Sequence, residues 1–110
     1  MKRFLKENWF LIVLVVFVII FKMTCSMYRI QSGSMEPTIK TGSVAVVCRL
    51  ADPKVGDIAA YKKGGNVIVH RIVGISDTGF IFQGDANNVI DGESVTEDRI
   101  IGKYLFSIGF

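Results

Sequence analysis

The chain has 110 residues but only one histidine and two cysteines, and these scarcities remove several kinds of chemistry. A zinc centre needs three or four N, S or O ligands in recognisable spacing. His70 with the distant Cys25 and Cys48 does not provide them, so no metal and no cofactor is expected. Two cysteines also fall short of a disulfide framework. A lone bridge from Cys25, at the end of an apolar run, to Cys48, in an expected strand, is not anticipated. An excess of one charge is likewise missing from most of the chain. Residues 23–110 hold nine basic and nine acidic side chains, and the net charge of +3 comes from Lys2, Arg3, Lys6 and Lys22 against Glu7. A nucleic-acid partner would need a basic surface on the folded part, so none is expected. No internal repeat and no low-complexity tract occurs.

What the sequence does have is a long apolar run near its start. All thirteen residues from 9 to 21, WFLIVLVVFVIIF, are apolar, and the character extends to Tyr28 with Lys22 as the one charge. That makes about 20 residues, the length that crosses a ~30 Å hydrocarbon core as a helix. Lys22 can snorkel to the headgroups, while Trp9 and Tyr28 suit the two interfaces. The basic residues before Trp9 favour a cytoplasmic N-terminus with the folded part outside the cell. A cleaved signal peptide shares a basic start, an apolar stretch and small residues such as Thr24 and Ser26. A retained anchor is the working expectation, because the run outlasts such a leader's core and Lys22 sits close to where the cut would fall. The expected division is residues 1–28 as basic N-terminus and anchor, and 29–110 as one extracytoplasmic domain.

Beyond the anchor, short β-branched and aromatic runs alternate with turn residues every 8 to 12 positions, the pattern of a small barrel or sandwich. Strands are expected over 43–48, 57–61, 67–75, 80–83 and 100–107. Lys63-Gly64-Gly65-Asn66 and Asp77-Thr78-Gly79 look like hairpin turns. A fifteen-residue polar loop, 84–98, follows the fourth of these strands and carries five acidic side chains. Loops of that length in so small a domain are usually functional or disordered.

Residues 32–38 read SGSMEPT. A serine hydroxyl is a poor nucleophile unless a base takes its proton and a donor receives the oxyanion. Ser34 lies next to Gly33, which allows close backbone approach, and near Glu36-Pro37, where the proline favours an extended, rigid turn. This is not the G-x-S-x-G elbow of the α/β-hydrolases. Ser34 lies six positions beyond Tyr28, so the hydroxyl can lie at most about 20 Å from the membrane boundary. His70 is the default general base, because imidazole alone ordinarily titrates near neutrality. It also reads as a core histidine on an apolar strand, sharing a face with Ile68 and Ile72. A third group should hold the imidazole, and the residues alone offer Asp85 and Asp91 equally, each also a plausible turn former.

Taken together, residues 32–38, Gly56-Asp57-Ile58 with Tyr61, His70-Arg71-Ile72-Val73, and Gly84-Asp85 with Asn87, Asn88 and Asp91 resemble the successive boxes of the type I signal peptidases. Histidine at position 70 rather than lysine is similar to the archaeal, endoplasmic-reticulum and sporulation branch. The box usually written Gly-Asp-Asn-Asn has Ala86 inserted here. The resemblance implies a mainly β catalytic domain behind one N-terminal transmembrane helix, acting as a serine endopeptidase that removes signal peptides from secreted precursors. It implies Ser34 as nucleophile, His70 as general base, Asp91 as the acid and Asp85 as a supporting acid. The backbone N–H of Ser34 and the hydroxyl of Ser32 would form the oxyanion hole. The implied partners are signal peptides, the lipid bilayer and a nearby secretion translocase; the oligomeric state stays open. The rival from another class is a non-catalytic, membrane-anchored β domain that binds partner proteins, for which Ser34 and His70 would be ordinary structural residues.

Overall fold

A computed structural model describes residues 2–50 and 52–109. Two helices come first, α1 (Lys2–Glu7) and α2 (Trp9–Thr24), with Asn8 between them. Apolar side chains cover α2 on every side, and none of its residues is buried; Phe17, for example, is 65% exposed. Its 16 residues reach about 24 Å at 1.5 Å per residue. No helix among the described residues is long and apolar enough to cross a membrane.

The continuous helix expected as far as Tyr28 stops at Thr24, because the next residues belong to a sheet. Strand β1 (Cys25–Arg29) pairs antiparallel with β2 (Val44–Cys48), Cys25 opposite Cys48 and Arg29 opposite Val44. That register also overturns the expectation about the cysteines. Cys25 and Cys48 form a disulfide, made feasible by direct apposition on neighbouring strands and closed in by Phe21 and Val46. The sequence concealed this because Cys25 reads as the tail of the apolar run, whereas it is the first residue of an edge strand.

Four more strands follow: β3 (Ile58–Lys63), β4 (Asn66–Ser76), β5 (Gly79–Gln83) and β6 (Ile100–Ile108), the last preceded by a 3-10 turn at Glu97–Arg99. All five strands expected from the sequence are present, and both expected hairpin turns join the strands beside them. At Gly64, φ of +60° is the left-handed conformation that a tight hairpin asks of glycine.

The domain is mainly β, but it is not the expected closed barrel or two-sheet sandwich. One antiparallel sheet runs β1-β2-β6-β3-β4-β5, bulged at Val46/Val47, Ala60/Tyr61 and Ile72/Gly74. Bulges bend a sheet, yet β1 and β5 pair with one neighbour each and leave it open. Alternation along β3 sends Ile58 and Ala60 into one apolar cluster, with Met35, Ile39, Val47 and Val69, and Ala59 and Tyr61 into a second, with Ile72, Phe82 and Val95. Both sides of β3 are therefore covered, which makes it the rigid centre against which β4 and its histidine are held.

Candidate active site

The nucleophile candidate lies in the turn segment between β1 and β2. Met35 and Ile39 are buried in the first cluster and anchor that segment. Glu36 closes it by accepting the N–H and hydroxyl of Thr41 at 3.1 and 2.8 Å, contacts that hold the Glu36 carboxyl below the usual carboxylate range. Ser34 is half-buried, and its Oγ stands 2.9 Å from Nε2 of His70. The hydroxyl of Ser32 is 3.1 Å from the same Oγ.

His70 comes from β4, opposite Ala59 on β3. Its Nδ1 lies 2.5 Å from Oδ2 of Asp91, and each of the two side chains is 11% exposed. A carboxylate accepting from Nδ1–H leaves Nε2 as the acceptor for a serine hydroxyl. The order Asp91, His70, Ser34 is therefore one continuous hydrogen-bonded chain. The hydroxyl of Tyr61, on β3, donates to the same Oδ2 of Asp91 at 2.7 Å. Burial first, and the Asp91 carboxylate second, push the Tyr61 phenol well above its ordinary range, so it stays a donor.

Asp85 has a different setting. Nε and Nη2 of Arg71 donate to its two oxygens at 2.8 Å each, and the Thr38 hydroxyl adds a bond of 2.6 Å. The Arg71 guanidinium holds the Asp85 carboxyl below its ordinary range. The same guanidinium donates to the Gly56 carbonyl at 2.7 Å, so Asp85 and Arg71 tie the serine segment, β4 and the turn before β3 into one block. The long loop is thus pinned at several points. Ala86 N–H donates to the Ser34 carbonyl at 2.8 Å, Asp91 N–H to Phe82, and Val95 exchanges both backbone bonds with Phe80. Gly84 permits the first of these contacts, because a Cβ there would stand 2.6 Å from the Ser34 carbonyl oxygen. Ala86, the apparent insertion, supplies the N–H that grips the Ser34 backbone.

All the residues singled out in the sequence converge here: Ser32, Ser34, His70, Asp85 and Asp91. The sequence reading did not assign functions to Tyr61, Arg71 or Thr38, although all three fall inside its motifs. Among the described residues no group of His, Cys, Asp and Glu could hold a metal ion. A groove of about 770 Å³ leads to Ser34 and His70, lined by residues 27–32 on one side and 65–70 on the other. β4 begins to pair with β5 at Arg71, so its earlier half presents a free strand edge, as does the outer side of β1.

Residues 1–105 match the family described as signal peptidase, peptidase S26. The chain belongs to the signal peptidase family. It is 35% identical over 83 residues to signal peptidase I W of Bacillus subtilis (strain 168), an alignment covering 68% of this chain and 44% of that relative. The chain thus spans less than half the length of the curated signal peptidase it matches.

Proposed function

We infer that the protein is a membrane-anchored serine endopeptidase of the signal peptidase I type, cutting signal peptides from secreted precursors. The observation that carries this reading is the chain from Ser34 Oγ through His70 to Asp91, with contacts of 2.9 and 2.5 Å. In that reading His70 Nε2 takes the Ser34 proton as Oγ attacks the scissile carbonyl, and Asp91 steadies the imidazolium that forms. The backbone N–H of Ser34 and the Ser32 hydroxyl receive the developing oxyanion. His70 then hands its proton to the departing amine, and a water activated by the same imidazole releases the acyl group. Asp85 supports the site by holding the serine segment. An extended peptide can enter the groove by adding a strand against the free edges of β1 and β4, which presents its carbonyl to Ser34.

Anchoring rests on α2. None of its residues is buried, although Phe21 packs against the Cys25–Cys48 cluster, and the apolar surface left uncovered calls for lipid. A helix somewhat short of the hydrocarbon thickness is accommodated by local thinning and by snorkelling of flanking side chains, here Lys22. Lys2, Arg3 and Lys6 would stay cytoplasmic. The sheet would then lie outside the cell, where the Cys25–Cys48 disulfide persists.

Co-expression of a secretory precursor with the wild-type chain, or with Ser34→Ala, tests the reading through the size of the product. The wild type should release the mature form and Ser34→Ala should not. Equal cutting by both removes Ser34 from the chemistry and the reading with it.

A further inference from the structure

We propose that Tyr61 is a positioning residue of this site, its hydroxyl orienting the Asp91 carboxylate and weakening its hold on the protonated His70. The proposal rests on the functional reading of Ser34, His70 and Asp91 given above. Tyr61 OH and His70 Nδ1 converge on one oxygen, Oδ2 of Asp91, at 2.7 and 2.5 Å. A carboxylate oxygen with two donors is fixed in rotation, and it shares its charge between them. The first effect aligns the imidazole with Ser34; the second leaves less of the carboxylate's charge for the imidazolium.

Tyr61 is held firmly enough for this task. It is 2% exposed, its ring packs on Phe82 with centroids 4.5 Å apart, and the Arg99 guanidinium lies over the ring, 5.8 Å from its centre. Arg99 is tethered in turn by a bond to the Lys62 carbonyl. The neighbouring charges come from several elements: Arg71 beside His70 on β4, Asp85 and Asp91 on the long loop, and Lys63, Glu93 and Arg99 around a small hollow behind Asp91. Asp85 is already paired with Arg71. Tyr61 is therefore the uncharged donor that meets Asp91 from β3, and it can be removed without altering the charge of the site.

The chain has a single histidine, so its imidazole titration is followed without ambiguity by NMR of the full chain in detergent micelles. Tyr61→Phe keeps the ring and deletes the hydroxyl. The His70 midpoint should rise by about half a unit or more, the acid limb of kcat should rise with it, and kcat should fall about tenfold with KM unchanged. Phe82→Leu loosens the same cluster but keeps the hydroxyl, and should leave the midpoint in place. In the wild type, a 13C label at Cζ of Tyr61 should report a shift with the His70 midpoint. The proposal is overturned if Tyr61→Phe leaves midpoint and kcat unchanged, if Phe82→Leu moves the midpoint as far, or if the Cζ resonance ignores His70. Ser34→Ala in the same cleavage assay separates the two readings: cutting by that variant defeats the peptidase reading, while the titrations still decide the coupling of Tyr61 to His70.

Discussion

The two ends of the loop stretch 85–91 carry the same residue type to opposite ends of a chemical scale. At one end Asp85 grips Arg71 through both oxygens and Thr38 through one; at the other Asp91 meets His70 and Tyr61. Arginine keeps its charge at every accessible pH, so the Asp85 end is a permanent structural tie. Histidine can gain and lose a proton near neutrality, so the Asp91 end can take part in turnover. In the proposed mechanism the partner, and not the carboxylate, decides which aspartate is chemical.

Among changes to the partners of the two aspartates, the largest effect should come from making the Asp91 end resemble the Asp85 end. In His70→Lys the longer, more basic side chain would be held as a cation by Asp91, and precursor cleavage should fall about a thousandfold. A variant cutting at the wild-type rate would show that the site runs as a serine–lysine dyad.

Arg71→Gln disturbs the other end. It should lower cleavage about tenfold by freeing the Ser34 segment, and lower stability by about 1–3 kcal/mol through the lost charge-assisted bonds. The pH dependence has a definite sign. Because Arg71 lowers the folded-state pKa of Asp85, the tie contributes fully above the ordinary carboxylate range and is lost as pH falls through the lowered value. Thermal melts of the wild type should therefore weaken in acid, and Arg71→Gln should flatten that slope; parallel slopes would remove the tie from the account.

Gly84→Ala should reduce kcat several-fold with a smaller change in KM, since its Cβ would push on the Ser34 carbonyl 2.6 Å away. Steady-state kinetics on a signal-peptide substrate reads this out, and an unchanged kcat would mean that the grip on Ser34 is loose. Thr38→Val should be the mildest, about 1 kcal/mol from one hydrogen bond, visible in a denaturant melt with cleavage nearly intact. A loss as large as that of Arg71→Gln would make Thr38 the principal holder of Asp85.

Legibility in the sequence followed the range of the interaction. Strands β2 to β6 and the turn at Gly64-Gly65 are local patterns of alternation and glycine, and they could be read directly. Strand β1 could not, because Cys25, Met27 and Tyr28 continue an apolar run, and only pairing with β2 makes the segment a strand. The same long-range register conceals the disulfide and leaves the sheet open. At the site, Ser34, His70 and both aspartates were visible as motif residues, but their distances depend on three segments meeting. The part of Tyr61 was within reach: the Gly64-Gly65 turn sets Ala59 opposite His70, so alternation along β3 puts Tyr61 on the histidine's face. What alternation cannot give is the return of the loop that brings Asp91 to both.

The measurement that tests the account most directly is kcat/KM for precursor cleavage by Asp91→Asn beside Asp85→Asn, each checked for a wild-type fold. The account predicts that Asp91→Asn loses activity about ten-thousandfold while folding normally, and that Asp85→Asn loses far less activity but melts earlier, most clearly near neutral pH. The reverse order, with Asp91→Asn active and Asp85→Asn folded but dead, would contradict it.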